Sequence, residues 1–168
     1  MSPVTSISPD QDPRAFRDAC GQFATGVCVI TTHTEMGQDV GITANSFASV
    51  SLDPALVLWS PAKTARRYEV YSEAKYTAIH VLSAAQLSVA MGFVKEANAF
   101  GGLTFTRNAH DVPIIAGCLA VFKCIRSAEH DAGDHAILVD QVERLHIATD
   151  GQPLVFSKGS YGGFTPRG

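Results

Sequence analysis

The sequence predicts a mainly β protein, an antiparallel barrel with α helices at its periphery. Three observations lead there. Runs rich in β-branched residues, each closed by turn residues, outnumber the stretches with helical spacing. Strands and helices do not alternate one for one, as a doubly wound parallel sheet requires. No G-x-G-x-x-G follows a strand and no G-x-x-x-x-G-K-[ST] occurs, so the phosphate loops of parallel α/β folds are missing.

In chain order, residues 1–11 read as a flexible tail and residues 12–168 as one domain, since 168 residues leave little room for two. Asp12-Pro13 is an N-cap followed by Pro at the first helical position. Phe16, Ala19, Cys20 and Phe23 then mark one apolar face of a short helix running to about Phe23, stopped by Thr25-Gly26. Residues 27–33 (VCVITTH) form a strand, and Met36-Gly37-Gln38-Asp39 a turn. Residues 40–51 read as one second strand, which Asp53-Pro54 breaks. Residues 55–60 (ALVLWS) are a buried third strand, residues 63–73 a helix, and residues 76–82 (YTAIHVL) a fourth strand. Ser83 and Gln86 have capping-box spacing, and Leu87, Ala90, Met91 and Val94 mark the inward face of the helix that follows. Residues 98–112 are Gly-rich and irregular. Two long strands, about 117–127 and 135–148, are joined by SAEHDAGD, and residues 153–164 (PLVFSKGSYGGF) are a short strand with a Gly-rich end.

Composition narrows the function. A net charge of −3, with no basic run longer than Arg66-Arg67, offers nothing to steer nucleic acid or an anionic membrane. No apolar run reaches the roughly 18 residues that span a bilayer, and the polar N-terminus is not a secretory signal, so the expected place is the cytoplasm. Charged residues are only 17%, which suits either subunit contact or a compact monomer rich in surface Ser, Thr and Gly. Cys20, Cys28, Cys118 and Cys124 lack C-x-x-C spacing and read as buried free thiols; Cys118 and Cys124 would share a face of one strand. His33, His110, His130 and His146 have no partner pattern and read as surface residues. With no G-x-S-x-G elbow, hydrolase chemistry is set aside.

Three segments have the residue types for binding and redox chemistry. Thr43-Ala44-Asn45-Ser46-Phe47-Ala48-Ser49-Val50-Ser51 puts five small polar side chains in nine residues of a β-prone run. Short hydroxyls, an amide and backbone N–H groups match the row of donors and acceptors along one edge of a flavin ring. On composition alone, an edge strand with a hydroxylated outer face is the favoured reading. Ser60-Pro61-Ala62-Lys63-Thr64 lies between a strand and a helix, where free amides beside Lys63 and Thr64 suit a phosphate; an ordinary capped helix start suits equally. Gly133-Asp134-His135 lies where a loop enters a strand, and a His there is either exposed or placed to meet a nicotinamide.

These segments occur among FATGVCVITT (23–32), GITANSFASVSLDPALVL (41–58), Gln86 and Phe93, Ala99-Phe100, DVPII (111–115), GDHAILVDQVERL (133–145) and PLVFSKGSYGGF (153–164). In that order and spacing the chain resembles the flavin reductase family, the small reductase components that feed reduced flavin to two-component monooxygenases. The resemblance runs from about Phe16 to Phe164. It implies an FMN-binding split β-barrel of antiparallel Greek-key type and a homodimer, with flavin held near the dimer interface. It implies that FMN or FAD is reduced by NADH or NADPH, and that a flavin-dependent monooxygenase receives the product. Thr43, Ala44, Asn45, Ser46, Phe47, Ser49 and Ser51 would hold the isoalloxazine and ribityl groups. Ser60, Pro61, Lys63 and Thr64 would approach the phosphate. Phe100 and Gly101 would close over the flavin, Tyr161 would complete the pocket, and His135, the one catalytic candidate, would contact the nicotinamide. No metal is implied. The hydride chemistry belongs to flavin and nicotinamide, and the protein stacks and orients them.

The chain departs from the family pattern at three positions. Ala99 replaces the usual Arg before Phe100, which leaves a charged contact to a distal flavin or nucleotide phosphate without its residue. His80 replaces an Asn, and Ala55 the second proline of a Pro-Pro; both are structurally tolerable. The same scaffold also suits a prosthetic-FMN reductase of a corrinoid or metal chelate, a flavin or haem carrier or sensor without turnover, and a pyridoxamine-phosphate-oxidase-like enzyme. Gly133-Asp134-His135 speaks against the last.

Overall fold

The structure, a computed structural model, describes residues 6–167. Residues 1–5 of the expected tail lie outside the described residues; residues 6–11 are exposed and hold no helix or strand. The elements in order are α1 (Pro13–Cys20), β1 (Thr25–Gly26), β2 (Cys28–His33), β3 (Asp39–Ala44), β4 (Ala48–Leu52), β5 (Ala55–Trp59), α2 (Tyr68–Glu73), β6 (Tyr76–Val81), α3 (Leu87–Lys95), β7 (Phe105–Arg107), β8 (Pro113–Ile115), β9 (Ala120–Ala132), β10 (His135–Ile147), β11 (Val155–Ser157) and β12 (Ser160–Gly162).

Seven strands form one antiparallel sheet in the order β3-β2-β6-β9-β10-β5-β4. Its two edge strands, β3 and β4, are consecutive in the chain and separated by residues 45–47 alone. Four residue steps span at most about 14 Å, whereas six inter-strand gaps laid flat would separate the edges by about 29 Å. The sheet must therefore curl until its edges nearly meet. It becomes a barrel with a split between β3 and β4, as expected. The second strand expected over 40–51 is for this reason two strands on opposite edges.

Alternate residues fill the barrel: Cys28 and Ile30 from β2, Val57 and Trp59 from β5, Ile79 from β6, Cys124 from β9, Ala136 and Leu138 from β10. The opposite face of β2, through Val27 and Val29, packs on Ala90 and Phe93 of α3 and on Phe100 and Leu154. Both faces of β2 are buried, which is why its sequence is an unbroken apolar and β-branched run. Fully buried Tyr71 of α2 meets Trp59 edge-on at 5.1 Å and donates to the Ile30 carbonyl at 2.7 Å.

Other expectations shift locally. α1 ends at Cys20 and buries no residue, so the face bearing Phe16 and Phe23 is exposed. Thr25-Gly26 is a short strand on β11, and the last segment is the hairpin β11–β12. Gln86 Oε1 accepts from the Ser83 N–H at 3.1 Å, as a capping box requires. Yet α3 turns Ala90 and Phe93 inward and leaves Leu87, Met91 and Val94 exposed, because Phe93 packs over Gly41, where an added Cβ would lie 2.4 Å from the ring. The irregular 98–112 stretch contributes β7, paired with β8. β9 and β10 run to the two-residue turn Gly133-Asp134, Gly133 taking the positive φ (72°) such a turn demands.

Among the thiols, Cys28 and Cys124 are buried, Cys118 is half-buried and Cys20 is exposed; Cys118 precedes β9 and does not share a strand with Cys124. Burial pushes the Cys28 thiol up to about 12 and Cys118 up to about 11, and Cys124 is raised further, so these three carry no thiolate near neutral pH. His130 and His146 are exposed as expected. His33 and His110 are half-buried instead. Both His33 ring nitrogens contact backbone carbonyls, and His110 stacks on Tyr76 at 3.7 Å with Nε2 3.2 Å from Glu143.

Candidate functional site

The split in the barrel sets the site. Residues 45–47 cross it, and Ser46 clasps the chain leaving β5: its Oγ accepts from the Ser60 N–H at 2.9 Å and lies 3.3 Å from the Ser60 carbonyl. Beyond Ser60 the chain continues the β5–β10 pairing. Ala136 N–H donates to Pro61 O (3.1 Å), Lys63 N–H donates to Asp134 O (2.9 Å), and Ala62 bridges His135. Two segments expected to bind ligand, residues 60–64 and 133–135, are thus neighbours on one wall, and Ser46 joins them to the third.

The wall differs from expectation in one respect. No helix starts at residues 60–64; the helix begins at Tyr68, because the backbone of Lys63 is taken by the β9–β10 hairpin. A row of free helix amides is therefore not available to a phosphate there. The Lys63 ammonium is likewise engaged, pairing with the Asp131 carboxylate and donating to Gly133 O at 2.7 Å. Hydrogen bonding between them raises Lys63 and lowers Asp131. Thr64 is exposed.

His135, the first residue of β10, has a side chain 44% exposed, and its Nδ1 lies 2.8 Å from Asp134 Oδ1. The bond to His135 holds the Asp134 carboxyl below its ordinary range. A carboxylate can only accept, so this contact assigns a proton to Nδ1.

Asn45 lines a hollow of about 580 Å³ with Phe23, Thr25, Phe156 and Lys158. Its carboxamide has no hydrogen bond among the described residues, and Thr25 Oγ1 in the same hollow is buried without a partner. An unpaired buried hydroxyl is costly, but this one is too deeply buried to meet a ligand, whereas Asn45 is exposed and its carboxamide is open to the hollow. Thr25 was not legible as a lining residue, since in sequence it is only a helix stop. Tyr161 packs on Phe156, a lining residue of this hollow, at 5.0 Å.

The remaining candidates are dispersed. Thr43 donates to Ala90 O at 2.7 Å and faces a second hollow, of about 780 Å³, between β3 and α3. Ala44 is half-buried against the barrel core, and Phe47 packs into that core on Phe122 at 5.3 Å. Ser49 and Ser51 lie on edge strand β4, Ser49 exposed, which is the hydroxylated edge that composition favoured. Phe100 is largely buried between Phe93 (4.9 Å) and Phe105 (5.3 Å), and its accessible edge lines a small hollow with Asp39, Val40 and Asn98. Gly101 is exposed, with open space where a side chain would be.

Comparison with known proteins agrees with this geometry. The family described as "Flavin reductase like domain" matches residues 20–165. The chain is 51% identical over 155 residues to the FMN reductase (NADH) SmoA of Agrobacterium fabrum, covering 92% of this chain and 88% of that protein. It is 37% identical over 156 residues to HsaB of Rhodococcus jostii, a flavin-dependent monooxygenase reductase subunit, covering 92% of this chain and 80% of that one. A trigonelline monooxygenase reductase component of Acinetobacter baylyi is 43% identical over 91% of this chain, which spans only 49% of that longer protein. The solved structure of the Streptomyces globisporus NADH:FAD oxidoreductase SgcE6 superposes with a TM-score of 0.92 at 30% identity, covering 99% of this chain and all of the other. By barrel and sequence alike, the chain belongs to the flavin reductase-like domain family.

Proposed function

We propose that this chain, acting as one domain over residues 12–168, reduces FMN or FAD with NADH or NADPH and hands the reduced flavin to a flavin-dependent monooxygenase. The observation that carries the reading is the wall at the split: His135, oriented by Asp134, bridges Ala62, and Ser60, two residues earlier on the same strand, is clasped by Ser46 of the strand crossing. Relatives named as NADH-dependent FMN reductase and as monooxygenase reductase subunits support it. Bound together, flavin and nicotinamide supply the hydride chemistry.

The chain's own residues bind and orient. Asn45, exposed in the hollow, offers its carboxamide to the flavin edge. Ser46 fixes the crossing that carries Asn45, so that side chain is preorganised. His135 Nε2 accepts from the nicotinamide carboxamide, while Asp134 prevents the ring from turning. No protein acid or base is required. The cytoplasm and a homodimer complete the proposal. Exposed Phe16, Phe23, Val50, Leu52 and Ile147 are apolar side chains that a second copy would cover. Among the described residues no helix is long and apolar enough to cross a membrane.

Steady-state NADH consumption with FMN, FAD and riboflavin tests the reading. The expected result is a rate that rises and saturates with added flavin. A rate indifferent to added flavin marks a prosthetic-group enzyme, and flavin binding without turnover marks a carrier.

A further inference from the structure

β6 and β9 pair as far as Tyr76 with Ile125, and past that point no strand among the described residues lies on the outer edge of β9. Residues 127–132 of β9 and 135–139 of β10 form an arm that reaches about 20 Å further and ends in the Gly133-Asp134 turn. A β-bulge marks its base: the register shifts between Val139 and Asp140 and leaves Ser127 without a partner. A bulged strand bends, so the ladder alone does not fix the angle of the arm to the barrel. Arg126 anchors the barrel side of the bulge. Its Nε donates to buried Asp140 at 2.7 Å, its Nη2 to Tyr71 O at 3.1 Å and its backbone N–H to Lys75 O at 2.8 Å.

On the arm itself the fixed point is α2, which buried Tyr71 pins to β2. Tyr68 and Ser72, four residues apart, share one face of this helix. Both donate to Glu129 of the arm, Tyr68 Oη to Oε1 at 2.7 Å and Ser72 Oγ to Oε2 at 2.8 Å. Lys63 adds a second brace nearer the tip, through Asp131 and Gly133 O. Glu129 lies opposite Leu138 and Asp131 opposite Ala136, so both carboxylates project from one face of the arm. His135, opposite Ala132, projects from the other. Glu129 therefore bears on His135 through the backbone of the arm and not by contact. We propose that Glu129 is a positioning residue: docked on Tyr68 and Ser72, it sets the angle of the arm and so holds His135 at the split for the nicotinamide. The role of His135 rests on the flavin-reductase reading; the brace rests on the hydrogen bonds of Glu129.

The test compares the wild type with Glu129→Ala and Glu129→Gln, each alone and combined with His135→Ala. Gln keeps an acceptor for Tyr68 and a polar partner for Ser72, whose hydroxyl both donates and accepts. The amides of Lys63 and Ala136 donate to Asp134 O and Pro61 O, so they report on the seam between the arm and residues 61–63. In Glu129→Ala these two amides exchange with solvent about fivefold faster or more, while those of β2 and β6 keep the wild-type rate. The KM for NADH rises about fivefold, kcat and the KM for FMN stay within about twofold, and Glu129→Gln restores exchange and KM together. In the His135→Ala background, Glu129→Ala raises the KM for NADH no further. Unchanged exchange at Lys63 and Ala136 overturns the proposal. So does a KM for NADH that rises by the same factor with and without His135, or that rises jointly with the KM for FMN. A KM for NADH in His135→Ala equal to that of the wild type refutes the reading of His135 instead, and the exchange rates then decide the brace by themselves.

Discussion

Buried His80 has both ring nitrogens committed: Nδ1 donates to Val29 O at 3.0 Å, and Nε2 accepts from the Ile115 N–H at 3.1 Å. One donor and one acceptor on adjacent strands is what an Asn amide would supply, which explains how this position tolerates the exchange. Burial pushes the imidazole down from 6.5 to about 4. The unfolded chain therefore takes up a proton below pH 6.5 that the folded chain refuses until about 4, so this contribution is whole above 6.5 and lost as pH falls through that window. It amounts to roughly 3 kcal/mol. Urea unfolding across the window should show the loss in the wild type and a flatter profile in His80→Asn; equal slopes would refute it. At His135, the proposed nicotinamide contact, His135→Ala should raise the KM for NADH about tenfold, the worth of one lost contact of roughly 1.4 kcal/mol, with flavin affinity changed less. Equal loss of both affinities would count against a nicotinamide contact.

At the scale of elements, the contact of β3 with α3 turns on Gly41. A methyl group there meets the Phe93 ring at 2.4 Å. Gly41→Ala should cost about 1–3 kcal/mol in thermal or urea unfolding, and Gly41→Ala/Phe93→Leu should recover part of it. Gly133→Ala should also destabilise, by about 1 kcal/mol, for a different reason: no atom lies nearby, but the positive φ is strained for alanine. No smaller partner would rescue that one. The same contacts explain what local sequence hides. Residues 40–51 stay β-prone throughout, and only closure of the barrel requires the break at residues 45–47. Residues 63–67 are compatible with helix, but the hairpin takes the Lys63 N–H, so the helix waits until Tyr68. Phe93 over Gly41 rotates α3 away from its expected face. Strand content was legible because it rests on local pattern, whereas the tight β9–β10 turn and the β11–β12 hairpin were not: residues 127–134 read as a loop and residues 153–164 as one short strand. The engagement of Lys63 by Asp131 and the unpaired Thr25 hydroxyl are products of distant strands meeting.

For the whole molecule, the described surface leaves Phe23 78%, Leu52 95% and Ile147 71% exposed. A charged chain would solvate such positions poorly, whereas a second copy would cover them. Sedimentation should give about twice the 17.9 kDa of one chain, and Leu52→Lys should shift the molecule toward monomer. A wild type that sediments as a single chain would remove the dimer from the account. The central claim, that Asp134-His135 and the strand crossing bring nicotinamide and flavin together, is tested most directly by anaerobic single-turnover mixing of the protein, one equivalent of flavin and NADH. The flavin's visible absorbance should bleach at a rate set by the protein, and His135→Ala should slow it at low NADH and approach the wild-type rate at saturation. Bleaching no faster than in protein-free solution would contradict the account.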